Sequence, residues 1–449
     1  MLVPQEKVDV AVVGARVAGS ALAVRLARAG MRVAVFERAP VLGRTLSTHI
    51  FHSTQALRAE GVYEDLVAAG VPPLPEVRVR IDDVRLDFHH PEDPGLCPPR
   101  ELLDNLLLER ARAAGADVRL GSPVLGLLRA EDGRVHGLEH GTPEGRVRQV
   151  RARLVVGADG RSSPLARWVG ARQYLTFRSG RGQVWRYFRG KRLPSRLLWH
   201  RSGARLAHIL PTGAEEFYLC AQPPAGDAVD FRGEGADALL PWVREVSPEI
   251  AELAEGAQAV GGLHRMSGYP CFFRQPCGPG WVLAGDAGHA KDATIGHGMT
   301  DALRNVSALS SALLAGWERP DLRDRLHAWA RRRDEEELAN FWYSQDLGGA
   351  APVTGVRLAM FRDLGPAGVA RLDEVMADKL DADELFTATR LARAALAQVR
   401  GGAPVPRVLR EAADVLRLAR QRRRAVRTGA AQAPGVAGGA ARELAVVGR

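Results

Sequence analysis

Val8-Asp-Val-Ala-Val-Val13, Gly14-Ala-Arg-Val-Ala-Gly19 and Arg32-Val-Ala-Val-Phe-Glu37 decide the fold of this chain. The first is a β-branched apolar run and predicts a strand. The second is a glycine turn. Ser20 to Ala29 has helical composition and stops at Gly30, and Arg32 to Glu37 predicts a second strand. Strand, glycine turn, helix and strand within about 30 residues form the unit that binds dinucleotides. A helix N-terminus offers the pyrophosphate free N–H groups and partial positive charge. Gly14 and Gly19 hold the outer fingerprint positions, and Arg16 replaces the middle glycine, its side chain expected to point outward toward phosphate. Glu37 stands at the end of the second strand, 23 residues after Gly14, placed to accept hydrogen bonds from an adenosine ribose. Arg38 follows it as a further candidate cofactor contact.

Beyond this unit the pattern predicts helices over Ser53–Glu60 and Tyr63–Ala69 and strand character over Val77–Phe88. Arg100 to Ala114 reads as a strong helix, with Leu102, Leu103, Leu106, Leu107 and Ala111 on one face. From 174 to 265 short alternating strands dominate, among them Gln183–Arg189, Ala207–Leu210 and Phe217–Ala221. Gly280–Ala284 predicts a buried strand, followed by helices over Met299–Leu314 and Leu322–Phe341. The expected class is α/β, α+β overall: a Rossmann-like cofactor domain, a sheet-rich substrate domain and a helical C-terminal region. The cofactor domain is discontinuous (1–70, 97–173 and 266–345), and the substrate domain takes 71–96 and 174–265. Helices fill 346–427, and the Ala/Gly-rich 428–449 reads as a disordered tail.

Composition narrows the function. The 449 residues are 46% hydrophobic and 25% charged, enough for a large globular core. Net charge is +10, yet only four of the 62 basic residues are lysine, in a chain rich in Arg, Ala and Gly. No basic stripe interleaved with aromatics occurs, which argues against a nucleic-acid partner. No run reaches the roughly 18 apolar residues of a membrane span. Four cysteines, at 97, 220, 271 and 277, form no CxxC pair; they exclude a disulfide framework and point to a reducing cytoplasm. His49, His52, His289 and His297 show no metal-ligand spacing, so no metal is expected.

Three further segments carry a family resemblance. Arg100-Glu-Leu-Leu-Asp104 opens the leucine helix. Gly157-Ala-Asp-Gly-Arg-Ser-Ser163 is similar to a GADGxxS motif. Gly285-Asp-Ala-Gly-His289, with Gly296-His-Gly-Met-Thr-Asp-Ala302, is similar to a GDAxHxxxPxxGxGxNxxxxDA segment. In order and spacing these resemble FAD-dependent monooxygenases of the p-hydroxybenzoate hydroxylase type. The resemblance implies non-covalent FAD, with Glu37 on the adenosine ribose and Arg100 on the pyrophosphate side. It implies Asp159 in the second motif, Gly285 and Asp286 at the ribityl or pyrophosphate region, and Arg44 on phosphate or ribityl. Gly296, Gly298 and Met299 would open a helix toward the flavin N1–C2 carbonyl, where the reduced ring is anionic. The chain departs from the family pattern at Ala293 (proline expected), Thr300 (asparagine expected) and Leu165-Ala166 (Val-Arg expected). A second glycine fingerprint is absent, so NADPH or NADH would bind transiently, or a separate flavin reductase would supply electrons.

Candidates for the reaction are His49, Lys291 and Asp292. His49 is an acid/base, a substrate donor or a loop residue positioning FAD; Lys291-Asp292 orients substrate, tunes flavin charge or forms a surface pair. Trp185 and Tyr187 share one strand face, either lining an aromatic substrate pocket or packing a core. The resemblance implies oxygenation of a small aromatic or natural-product substrate with NAD(P)H and O2, through a flavin C4a-hydroperoxide. The alternatives are a geranylgeranyl-reductase-like reductase of C=C bonds, a flavin-dependent halogenase and a non-catalytic flavin-binding protein. The halogenase reading lacks its lysine, because none lies between Lys7 and Lys191.

Overall fold

The computed structural model describes residues 6–45, 50–227, 231, 238–376, 380 and 382–432. Val10, Ala11 and Val12, with Val33 to Phe36, are buried without alternation, as befits strands covered on both faces. Glu6–Val13 lies parallel between Val33–Phe36 and Val147–Gly157. Asp117–Arg119 continues the sheet beyond the former and Trp281–Leu283 beyond the latter, both parallel. Helices Val17–Arg28, Arg100–Ala113 and Gly298–Gly316 bury apolar stripes on one face, through residues such as Leu22, Leu103, Leu107 and Val306. The register pairs Val13 with both Gly157 and Phe36, and Gly157 with Leu283. The carboxyl ends of these strands therefore converge, and the loops leaving them carry the fingerprint motifs.

Two glycines are required there by contact. Gly14 has φ +100°, and a Cβ on it would sit 2.4 Å from the Ala158 carbonyl oxygen. A Cβ on Gly19 would sit 1.9 Å from the Gly14 carbonyl oxygen, because the helix packs directly on the turn. Arg16 has ordinary extended backbone, φ −88° and ψ −164°, so the turn admits a side chain at the middle fingerprint position.

The second sheet has seven strands, in the order Gln258–Ser267, Gly182–Arg189, Glu216–Gln222, Arg205–Pro211, Arg196–Ser202, Glu76–Ile81 and Val84–His89. Only Arg196–Ser202 and Glu76–Ile81 run parallel; the other neighbours are antiparallel. One face (Trp185, Tyr187, Leu210, Tyr218 and Cys220) packs against Ile50, Cys97 and the C-terminal helices through Leu364 and Val375. The other (Val184, Phe188, Ile209, Phe217 and Leu219) packs on helices Leu239–Val246 and Pro248–Ala254. The elements depart from the expected limits in three places. Gln173–Arg178 joins a separate three-stranded sheet with Pro270–Arg274 and His289–Ala290. Gln258–Ser267 carries the seven-stranded sheet past residue 265. The last helix, Val405–Gln432, passes residue 428, and 433–449 lie outside the described residues. No described helix is long and apolar enough to cross a membrane.

Burial leaves an acid-sensitive signature. It pushes His200 down to about 4, and His208 and His289 down to about 3, from an ordinary 6.5. Between pH 6.5 and these values the unfolded chain binds protons that the folded chain refuses. Their stabilisation is complete above about pH 6.5 and is lost as pH falls, at up to ~1.4 kcal/mol per pH unit for each histidine. The melting temperature should therefore drop steadily from pH 7 to pH 5. His289→Phe, which keeps the ring stack on Phe273 at 4.3 Å, should make that drop shallower. Identical slopes for variant and parent would refute the assignment.

Candidate cofactor site

At the carboxyl end of the first sheet, Glu37 bridges two loops. Its Oε2 accepts the Ala15 N–H at 3.1 Å and its Oε1 accepts the Ala39 N–H at 3.0 Å. Each oxygen keeps a lone-pair direction for a hydroxyl. The Val17–Arg28 helix starts without a side-chain cap, so its first N–H groups have no side-chain acceptor. Arg16 does not point outward as expected from the sequence. Its Nη1 donates to Asp104 Oδ2 at 2.6 Å and to the Gly43 carbonyl at 3.3 Å. Asp104 is fully buried and also receives Arg100 Nη2 at 3.0 Å. Two guanidinium groups share one carboxylate, which leaves net positive charge beside the glycine turn.

Arg38 is exposed. Arg44 donates through Nε to Glu101 at 2.7 Å and through Nη2 to Glu216 at 3.3 Å, and lies 4.0 Å over the Tyr187 ring. It ties the leucine helix to the second sheet. His49 lies outside the described residues.

The two acidic motif residues differ in kind. Asp159 accepts Ser163 Oγ–H at 2.5 Å and the Leu165 N–H at 3.1 Å, and so fixes its own turn. Burial raises its pKa, against those hydrogen bonds. Asp286 is 42% exposed and has Arg161 as its nearest ion-pair partner at 3.7 Å. Gly285 and Gly296 have φ +56° and +72°, and a Cβ on Gly296 would meet Ile50 Cγ2 at 2.2 Å. Gly298 is exposed, with open space where a Cβ would stand, and its helix also starts without a side-chain cap. Met299 instead packs into the core. Asp286, His289, Lys291, Gly298 and Asn305 border one small cavity of about 20 Å³, room for a single water-sized guest.

Lys291 and Asp292 are both buried, at 5% and 1% exposure, and face different partners. Lys291 Nζ lies 2.7 Å from Asp301 Oδ2 and 3.0 Å from Glu337 Oε2. Arg304 Nη2 joins the same acids at 3.2 and 2.6 Å. Burial alone would raise the Glu337 pKa, but Lys291 and Arg304 outweigh it and hold the carboxyl well below its ordinary range. Asp292 Oδ1 accepts Thr294 N–H at 2.9 Å and Thr294 Oγ1–H at 2.7 Å, and Tyr269 Oη–H at 3.3 Å. Both side chains thus brace the loop from beneath. Trp185 and Tyr187 share a buried face, with Trp185 stacked on His264 at 5.4 Å and Tyr187 packed on Tyr218 at 6.2 Å. Sequence reading missed Asp104, Asp301, Arg304 and Glu337. The i,i+4 pair Arg100–Asp104 and the i,i+3 pair Asp301–Arg304 were local signals; Glu337 had none.

These groups fit an adenine dinucleotide flavin: a ribose acceptor at Glu37, cationic charge and open N–H groups at the turn, an open carboxylate at Asp286 and an uncapped helix start at Gly298. An FAD-binding-domain family model matches residues 7–185. Digeranylgeranylglycerophospholipid reductase 2 of Methanothermobacter thermautotrophicus is 36% identical over 174 residues, 36% of this chain and 42% of that protein. Rifampicin monooxygenase of Streptomyces venezuelae is 26% identical over 347 residues, 71% of this chain and 67% of that protein. A triple mutant of a flavin-dependent brominase superposes with TM-score 0.67 at 19% identity, over 88% of this chain and 99% of that one. Residues 7–185 of this chain are an FAD-binding domain.

Two substitutions test the division of labour among the acids. Asp286→Ala should lower FAD occupancy more than Asp159→Ala, since a lost charge-assisted hydrogen bond costs about 1.5–3 kcal/mol; equal flavin content in the two purified variants would refute the ranking. Lys291→Met should destabilise the protein by about 3–5 kcal/mol, because it leaves two buried carboxylates short of a cation. Denaturant unfolding reads this directly, and an unchanged midpoint would show that the ion cluster is dispensable.

Proposed function

We propose that the chain is an FAD-dependent monooxygenase that takes electrons from NAD(P)H and oxygenates a small organic substrate on the buried face of the second sheet. The observation that carries this reading is the join at Arg44. One guanidinium pairs with Glu101 of the cofactor-side helix and with Glu216 of the second sheet, and covers Tyr187. The cofactor motifs thereby adjoin an enclosed aromatic face, the dry surroundings that oxygen transfer needs. Bound FAD would supply electron transfer from the nicotinamide and activation of dioxygen. Glu37, Arg100 with Arg16, and Asp286 would hold it, while the helix opening at Gly298 would favour negative charge on the ring. The Trp185–Tyr187 face would orient the substrate and exclude water.

A halogenase reading has support in the brominase likeness. Amine-assisted halogenation needs an available lysine, however, and Lys291 is held between Asp301 and Glu337. The reductase reading has support in digeranylgeranylglycerophospholipid reductases that are 25–26% identical over 69% of this chain and 76% of the relative. Substrate-stimulated NADPH oxidation in air, with 18O from labelled dioxygen appearing in the product, is the expected result. A saturated product formed without oxygen would overturn the proposal in favour of C=C reduction, and a bromide-dependent product would overturn it in favour of halogenation.

A further inference from the structure

Four of the nine large apolar side chains that stand exposed among the described residues lie in one helical hairpin near the C-terminus. The hairpin joins helix Ala388–Arg400 to helix Val405–Gln432. Its inner side is ordinary core: Leu391, Ala394 and Val408 pack with Val356, Ala359 and Met360. Its outer side carries Leu396, Val405, Leu409 and Leu416, with Leu409 exposed by 64%. Val405, Leu409 and Leu416 follow one another at spacings of four and seven, so they form one line along the last helix. The exposed Arg410 and Arg417 flank that line, and the exposed Arg420 continues it.

Charge is concentrated in the same place. Residues 388–427 hold eleven arginines and only two acids, Glu411 and Asp414, a net charge of +9. The whole chain carries +10, so everything outside the hairpin is almost neutral. A general arginine bias does not produce this distribution, because elsewhere acids balance it. Within the hairpin Glu411 pairs with Arg407 and Asp414 with Arg417. Asp363, at the end of helix Gly355–Arg362, takes Arg390 and Arg393. These three acids leave the arginines in large excess.

We propose that the outer side of this hairpin docks on an anionic phospholipid surface, with the leucines among the acyl chains and the arginines on the phosphates. A guanidinium fork matches phosphate oxygens two at a time. The long arginine stems let the charges reach the headgroups while the neighbouring leucines sink below them. Other occupants fit worse. A second copy of the chain would set one +9 surface against another. A nucleic acid is held by stacking rings as well as charge, and residues 387–449 contain no Phe, Trp or Tyr. The same lack tells against a protein partner, whose binding energy gathers on aromatic anchors and seldom on Leu or Val. Fluid acyl chains need no such anchors. The hairpin would lie on the bilayer, since no described helix is long and apolar enough to cross one.

The test sediments the FAD-loaded full chain with vesicles of phosphatidylcholine alone, or of phosphatidylcholine with about one-third phosphatidylglycerol. The protein should bind the anionic vesicles at least about tenfold more tightly than the neutral ones. Raising salt from about 0.05 to about 0.5 M should remove most of that binding. Leu409→Ser/Leu416→Ser should weaken it about tenfold, because less apolar area enters the lipid. Arg410→Gln/Arg420→Gln should weaken it by a similar factor of about ten. All four side chains are exposed, so both variants should keep their flavin and melt within a few degrees of the parent. If one variant fails to fold, the other is read the same way. Soluble polyglutamate stands in for an acidic protein. Any of four results would overturn the proposal: no sedimentation with anionic vesicles, equal binding to neutral and anionic vesicles, a leucine variant that binds as well as the parent, or tighter binding to polyglutamate than to anionic vesicles. The last would point to an acidic protein partner instead. Turnover is not read, so failure here is distinct from failure of the monooxygenase reading.

Discussion

A lysine buried between two carboxylates is the interaction on which the cofactor end of this fold depends. Lys291 comes from the loop after the Gly285-Asp286 turn, Asp301 from the first turn of the Gly298–Gly316 helix, and Glu337 from the long helix Leu322–Gly348. With Arg304 the cluster holds two positive and two negative charges, so little net charge is buried. Its placement matters as much as its balance. Asp301 stabilises the helix start but, unneutralised, would offset the positive end of the helix dipole at Gly298. Lys291 and Arg304 cancel that charge from below. The uncapped N–H groups above can then meet an anionic ring.

The cofactor half of the site was legible because its constraints are local. Gly14, Gly19 and Glu37 sit in one strand–turn–helix–strand unit, and each is fixed by a contact within it or with the adjacent Ala158 loop. The Arg100 helix and the Gly296–Gly298 turn were readable for the same reason. Lys291-Asp292 was not. Adjacent residues of extended backbone point to opposite sides, so a pair that reads as one functional unit splits between Glu337 and Thr294. Arg16 misled similarly, because Asp104, 88 residues away, decides where its guanidinium lies. In the second sheet, alternation placed Trp185 and Tyr187 on one face.

The long helix connects the two halves. A Cβ on Gly348 would come within 2.5 Å of Asp292 Oδ2, so the helix end presses directly on the cofactor loop. One residue on, the Gly349 carbonyl accepts Arg181 Nη2 at 2.9 Å and Arg201 Nη2 at 3.3 Å. Both guanidiniums are buried, and burial lowers their pKa to about 9 and about 10. No carboxylate among the described residues forms an ion pair with either. The Gly349 carbonyl and the negative end of the helix dipole face them, and Asp292 and Asp82 favour their charge from farther away. Arg181 directly precedes the strand that carries Gln183, Trp185 and Tyr187.

One helix therefore grips the Lys291 loop through Glu337 and the second sheet through Gly349, about 18 Å apart at 1.5 Å per residue. Local contacts could set either half alone, but only an element that touches both sets the distance between them. A helix attached to cations at mid-length through Glu337 and at its C-terminus through the Gly349 carbonyl fixes that distance more stiffly than the loops joining the sheets.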